Sequence, residues 1–217
     1  MSLKALRQYL ELLKNCGIKE IYRSEDHEGF SKQGLLAELA GKYSTCTLCK
    51  LHTGRINFVY GDGNPDADIM VIGEGPGEQE NLQGKPFVGR AGQLLTDMLK
   101  AINISRPDVY IANIVKCRPP GNRNPEAEER LACLPYLVEQ IEIVQPRIFL
   151  LMGLVAAQTL LDSKESMGTM REQNHELFGR PAYVTYHPAA LLRNENWKRP
   201  AWDDLKRFRD HYQQLHQ

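Results

Sequence analysis

The run Ile69-Met70-Val71-Ile72-Gly73 constrains this chain more than any other stretch. A short, unbroken apolar run rich in β-branched residues reads as a strand buried on both faces of a parallel sheet. Behind it, Glu74-Gly75-Pro76-Gly77-Glu78-Gln79-Glu80 ends the strand abruptly, and the leucines from Leu94 to Leu99 carry a helical pattern. Strand, elaborate loop and helix make a βα unit, and in open α/β sheets loops at the carboxyl ends of strands form the ligand crevice. The loop is not a dinucleotide fingerprint. After Gly73, Gly75 and Gly77 the spacing fails, and Pro76 removes a backbone donor that a phosphate cradle would use.

Further buried runs repeat the theme. Val109–Val115, Arg147–Met152 and Ala182–Tyr186 read as three more strands, with helices expected over 92–102, from the Asn124-Pro125 cap to about Val144, over 154–161 and over 197–214. Leucines at positions 3, 6, 10 and 13 predict an N-terminal amphipathic helix over 2–22, with a second short helix near Leu35–Ala40. The expected architecture is a three-layer αβα fold on a four-stranded parallel sheet, with residues 1–42 as a helical extension and 43–217 as the functional domain. At 217 residues the chain suits one domain of this kind with a small appendage.

Composition narrows the setting. No apolar run approaches the ~20 residues of a membrane span, and Met1-Ser2-Leu3-Lys4 does not begin a signal peptide, so a cytoplasmic protein away from membranes is expected. Lys plus Arg and Asp plus Glu both number 27, yet they are segregated: residues 56–84 hold six acids and no base, whereas 85–123 hold seven bases against Asp97 and Asp108. A basic segment of this kind can hold a phosphate backbone.

Four of the five cysteines have informative spacing. Cys46 and Cys49 form a Cys-x-x-Cys pair; Cys117 follows after 67 intervening residues and Cys133 after a further 15. Zinc, an iron–sulfur cluster and a redox dithiol all use such pairs. The dithiol is disfavoured because Cys46-x-x-Cys49 precedes the first parallel strand outside a βαβ context, and unligated buried cysteines are the alternative without a metal. The wide second pair is unlike a zinc knuckle and leans toward a cluster. Cys16, within a leucine pattern, reads as a buried hydrophobe.

Two polar residues stand where strands deliver them. Asn113 interrupts an apolar strand, where a carboxamide is suited to the polar edge of a base. His187 follows another strand, and Pro188 holds its backbone extended. The other histidines have no such context.

Taken together, the chain resembles the family-4 uracil-DNA glycosylases, the iron–sulfur branch of that superfamily. The resemblance rests on Cys46-x-x-Cys49, Gly73-Glu74-Gly75-Pro76-Gly77, Gly84-Lys85-Pro86-Phe87-Val88-Gly89-Arg90-Ala91-Gly92-Gln93-Leu94-Leu95, Asn113 through Lys116-Cys117-Arg118-Pro119-Pro120, Cys133, and His187-Pro188-Ala189-Ala190-Leu191-Leu192-Arg193, in that order. It implies a 4Fe-4S cluster on Cys46, Cys49, Cys117 and Cys133, and uracil-containing DNA, single- or double-stranded, as substrate. Phe87 would stack on the flipped base, Asn113 would read its edge, and Glu80 with Gly75 would complete the base pocket. His187 would donate to uracil O2 and Glu74 would position the water. Leu191, or Leu192 beside it, would fill the gap in the stack, with Lys85, Arg90, Lys116 and Arg193 on phosphates.

The chain departs from the family in carrying Glu80-Asn81 where Glu-Asp is frequent, and superfamily members with the fastest catalysis carry aspartate where Gly75 stands. The segment 119–125 lacks the histidine with which a related subgroup bonds the abasic sugar, so turnover without a covalent adduct is expected. A monomer is expected, and nothing in the sequence singles out a protein partner such as a sliding clamp. The rival readings are a catalytically silent cluster protein that binds DNA and a zinc-stabilised hydrolase of a free nucleotide.

Overall fold

The computed structural model describes residues 31–215 together with Glu11 and Lys14. The remainder of the helix expected over 2–22, with Cys16, lies outside the described residues. Helix α1 (Lys32–Tyr43) is anchored by Lys32 Nζ donating to the Val144 carbonyl at 3.1 Å and by Tyr43 OH donating to Glu139 at 2.9 Å.

Among the described residues the sheet has six strands, β1 (Asp62–Gly63), β2 (Ile69–Gly73), β3 (Val109–Asn113), β4 (Ile148–Met152), β5 (His175–Leu177) and β6 (Arg180–Thr185), in the order β1-β3-β2-β4-β6-β5. This corrects the expected four-stranded parallel sheet: the sheet is mixed, with a parallel centre β3-β2-β4-β6 and an antiparallel strand at each edge. Those edges are two and three residues long, too short to carry an alternation. The β5–β6 hairpin turns on Phe178-Gly179, both at positive φ, the backbone of a primed two-residue turn without an asparagine to announce it.

Strands β2, β3 and β4 are buried at every position because helices cover both faces. Alternation along β2 sends Met70 and Ile72 toward α1, α4 (Ala127–Val144) and α5 (Leu154–Leu161), and Ile69 and Val71 toward α3 (Arg90–Ala101) and α8 (Lys198–Gln214). This is the expected three-layer arrangement. The smaller helices are α2 (Glu78–Gln83), α6 (Met167–Glu172) and α7 (Pro188–Arg193). None of the described helices is long and apolar enough to cross a membrane.

Two expected boundaries shift for identifiable reasons. Strand β3 stops at Asn113, while the N–H groups of Ile114 and Val115 still bond the carbonyls of Gly73 and Glu74. Helix α4 is capped at Glu126 rather than Asn124, because the Glu129 carboxylate accepts from the Glu126 N–H at 2.7 Å and pairs with Arg123, which holds 123–125 out as a loop.

Candidate active site

The parallel register sets Gly73 beside Asn113, and β6 ends at Thr185, two residues before His187. These strand ends open on one cavity of about 270 Å³. Glu74, Gly75, Glu80, Phe87, Asn113 and His187 all line it, so every residue expected to act in catalysis or base binding is brought to one place.

Asn113 lines this cavity at the end of β3. Its side chain is buried and Oδ1 has no hydrogen-bond partner, an uncommon state for a buried acceptor. The backbone there is fixed from behind: Lys116 Nζ donates to the Asn113 carbonyl at 2.9 Å and to Gln140 Oε1, and Gln140 Nε2 donates to the Tyr60 carbonyl. Lys116 is fully buried, and burial lowers its pKa to about 7. It braces the Asn113 turn and cannot reach a phosphate, which corrects its expected place on the DNA-binding surface. Gly73 leaves room for this packing, since a Cβ there would lie 2.5 Å from Asn113 Oδ1 and 2.6 Å from the Phe87 ring.

Phe87 is held in the left-handed region at φ 52°, which costs of order 1–3 kcal/mol for a bulky residue. Glu80, Arg106 and Gly92 hold it there. Glu80 Oε1 accepts from the N–H groups of Val88 at 2.8 Å and Gly89 at 2.9 Å, while Oε2 accepts from the Gly77 N–H at 3.1 Å. Arg106 Nη2 donates to the Pro86 carbonyl at 2.8 Å. Gly92 lets the first turn of α3 press on the loop, where a Cβ would lie 1.8 Å from the Phe87 carbonyl oxygen. Glu80 therefore clamps two loops together through its carboxylate. Next to it, Asn81 Oδ1 accepts from the Ile56 N–H at 2.9 Å, so the amide expected to weaken a loop contact still makes one.

His187 caps α7, and its Nδ1 accepts from the Ala189 N–H at 3.2 Å. Its ring centroid lies 5.4 Å from that of Phe87 at an interplanar angle of 33°. Burial, reinforced by Arg193 and opposed by Glu80, lowers its pKa to about 4. The ring is neutral at pH 7, with the proton on Nε2. Burial pushes the half-buried Glu74 carboxyl above its ordinary range, while Arg130 and Arg193 pull it back. A Cβ on Gly75 would lie 2.6 Å from Val115 Cγ2, so this backbone leaves an acidic side chain little room there.

Arg193 also lines the cavity, Lys85 is exposed beside Asp62 at 3.3 Å, and Arg90 is exposed. Leu191 departs from its expected role: it is only 2% exposed and packs in the core, whereas Leu192 retains 41% exposure. One turn of α7 has two faces, and the sequence alone does not phase them. Arg123 lines the cavity too, its guanidinium held by both oxygens of Glu129 at 2.8 and 2.6 Å. The sequence places it only in a basic segment; its following Glu126 and Glu129 are the signal for a fixed arginine.

The four spaced cysteines line a second, smaller cavity. Among the described residues no ready-made metal-binding group of three or more His, Cys, Asp or Glu is assembled. The donor set nevertheless suits a thiolate centre. Tyr136 OH donates to Cys46 Sγ at 3.0 Å, the Lys116 N–H to Cys133 Sγ at 3.2 Å, and Arg55 Nη1 to Cys117 Sγ at 3.4 Å. Burial raises the pKa of Cys49, Cys117 and Cys133, so thiolates there call for a compensating cation.

The family model of the uracil DNA glycosylase superfamily matches residues 60–206. A type-4 uracil-DNA glycosylase of Thermotoga maritima is 44% identical over 169 residues, covering 77% of this chain and 88% of the relative. One from Pyrobaculum aerophilum is 42% identical over 183 residues, covering 80% and 92%. A type-5 enzyme of the same organism is 34% identical over 148 residues, covering 59% and 64%.

Proposed function

The chain belongs to the uracil DNA glycosylase superfamily and to its type-4 members, and we propose that it repairs DNA by flipping uracil into the Asn113–His187 cavity and hydrolysing the N-glycosidic bond there. A stacked base cannot be attacked at its sugar carbon, so the nucleotide must leave the helix first. Phe87 stacks on the flipped ring. Asn113 Oδ1 accepts from uracil N3–H while Nδ2 donates to O4.

The single observation that carries this reading is the buried, unpartnered Asn113 Oδ1 in a cavity shared with a neutral imidazole. A buried acceptor discriminates by what it leaves unpaired: cytosine has no N3–H, and leaving Oδ1 bare costs about 1–3 kcal/mol. As the bond breaks, negative charge gathers on the base, and the His187 Nε2–H donates to O2, an electrostatic role open to the neutral ring. Glu74 orients the attacking water, and no covalent bond to the sugar is made. Glu80 acts on base size through the backbone, by keeping the Gly77 and Phe87 loops at a fixed separation.

On the DNA side, Arg193, Arg90 and Lys85 bind phosphates, and Leu192, not Leu191, enters the gap in the stack. Cys46, Cys49, Cys117 and Cys133 hold a 4Fe-4S cluster, with Tyr136, Arg55 and the Lys116 N–H donating to its thiolates. The cluster, when bound, cross-links the segments that carry these cysteines. The silent DNA-binding alternative loses support because Glu74 and His187 share the base pocket.

The test is excision itself. Incubation with single- and double-stranded oligonucleotides containing one uracil, followed by alkali, should cut the strand at that position. Intact strands from both substrates would overturn the proposal.

A further inference from the structure

The chain has two tryptophans, and one of them crowns a stacked column beside the pocket. The Trp197 ring lies 5.0 Å from that of Tyr186 at an interplanar angle of 8°. The Arg171 guanidinium carbon lies 4.7 Å from the centre of the same Tyr186 ring. Arg171 and Trp197 thus both pack against the Tyr186 ring.

The base of the column is rigid. Arg171 donates from Nε and Nη2 to the two oxygens of buried Asp204 at 2.6 and 2.8 Å, and from Nη2 to the Pro200 carbonyl at 2.7 Å. Thr185 OH donates to the same carboxylate at 2.8 Å, as does Arg207 at 2.9 Å. Trp197 itself is 38% exposed. Its position relative to the catalytic machinery is fixed by the chain: Tyr186 directly precedes His187, and the turn Glu195–Trp197 follows α7, whose Ala189 and Arg193 line the pocket.

A large ring stacked flat on its neighbour and partly exposed to solvent offers what an unpaired nucleobase stacks upon, since every base has a π-face. We propose that the exposed face of Trp197 is a second base-binding site, which stacks an unpaired base of the strand flanking the flipped nucleotide. Arg193, which lines the pocket four residues before Trp197 in the chain, would meet the intervening phosphate. This rests on the reading of the pocket as a uracil site only for the identity of the strand.

The test uses Trp202→Phe protein, in which Trp197 is the sole tryptophan, titrated with a uracil-free single-stranded oligonucleotide of about ten nucleotides. Quenching of its emission is expected. Trp197→Ala in the full chain should weaken that strand by about tenfold and raise KM for uracil excision by a similar factor with kcat unchanged, and Trp197→Phe should retain most of the affinity. Unquenched emission on a strand that does bind would overturn the proposal; so would strand affinity and KM that stay at wild-type values in Trp197→Ala. A merely structural ring would lower the melting temperature of Trp197→Ala without moving either. Failure of the uracil reading gives a different result, no excision by the wild type, with quenching preserved.

Discussion

The Ala189 N–H donates to Nδ1 of His187 at 3.2 Å, and this contact decides which ring nitrogen carries the proton. A backbone N–H can only donate, so Nδ1 accepts and Nε2 keeps the hydrogen. In the proposed mechanism the imidazole is therefore a neutral donor with fixed orientation. His187→Ala should lower kcat by about 10²–10³-fold, the usual loss for one preorganised donor, with strand affinity nearly unchanged. Single-turnover kinetics beside a binding titration check both halves.

The same histidine sets a pH dependence. Its pKa is about 4 in the folded chain against an ordinary value of 6.5. Between those values the unfolded chain binds a proton that the folded chain refuses, so stability from this group falls as pH drops through that window and is fully present above it. Melting temperature against pH for His187→Asn should be flatter than for the wild type between pH 6.5 and 4. Equal slopes would place the titration elsewhere.

Glu80 is predicted to act through backbone geometry. Glu80→Ala removes the acceptor for the N–H groups of Gly77, Val88 and Gly89, and should cost on the order of 1–3 kcal/mol in stability and lower kcat/KM at least tenfold, because Phe87 leaves its left-handed conformation. Denaturant unfolding and kinetics on one preparation give both numbers. Gly92→Ala, aimed at the Phe87 carbonyl, should reproduce the kinetic loss with Glu80 intact.

Arg193 and Lys116 are both basic residues and should behave in opposite ways. Arg193→Gln should reduce the slope of log affinity against log salt by about one, as expected for one lost phosphate contact. Lys116→Met should leave that slope unchanged and lower stability by about 1–3 kcal/mol, because Gln140 and the Asn113 carbonyl lose their buried donor. Fluorescence anisotropy over a salt series separates the two.

How far the sequence reached follows from what local pattern encodes. The strand Ile69–Gly73 was legible because burial on both faces leaves an uninterrupted apolar run, and Asn113 and His187 because each stands at the end of such a run. The burial of Lys116 was not, since the residues that desolvate and bond it, Gln140 and Tyr60 among them, are distant in the chain. Leu191 and Leu192 could not be separated because one turn of helix sets neighbours on different faces. The clamp made by Glu80 needed the fold of two loops, and the column under Trp197 needed Arg171 and Asp204, each far from the other in sequence.

The most direct measurement is chromatographic identification of the base released from matched single strands carrying uracil, thymine or cytosine at one position, by the wild type and by Asn113→Ala. The wild type should release free uracil alone and leave an abasic site. Asn113→Ala should release it about 30–1,000-fold more slowly, the loss of two hydrogen bonds to the base. Cytosine released as readily as uracil, or uracil release indifferent to Asn113, would contradict the account.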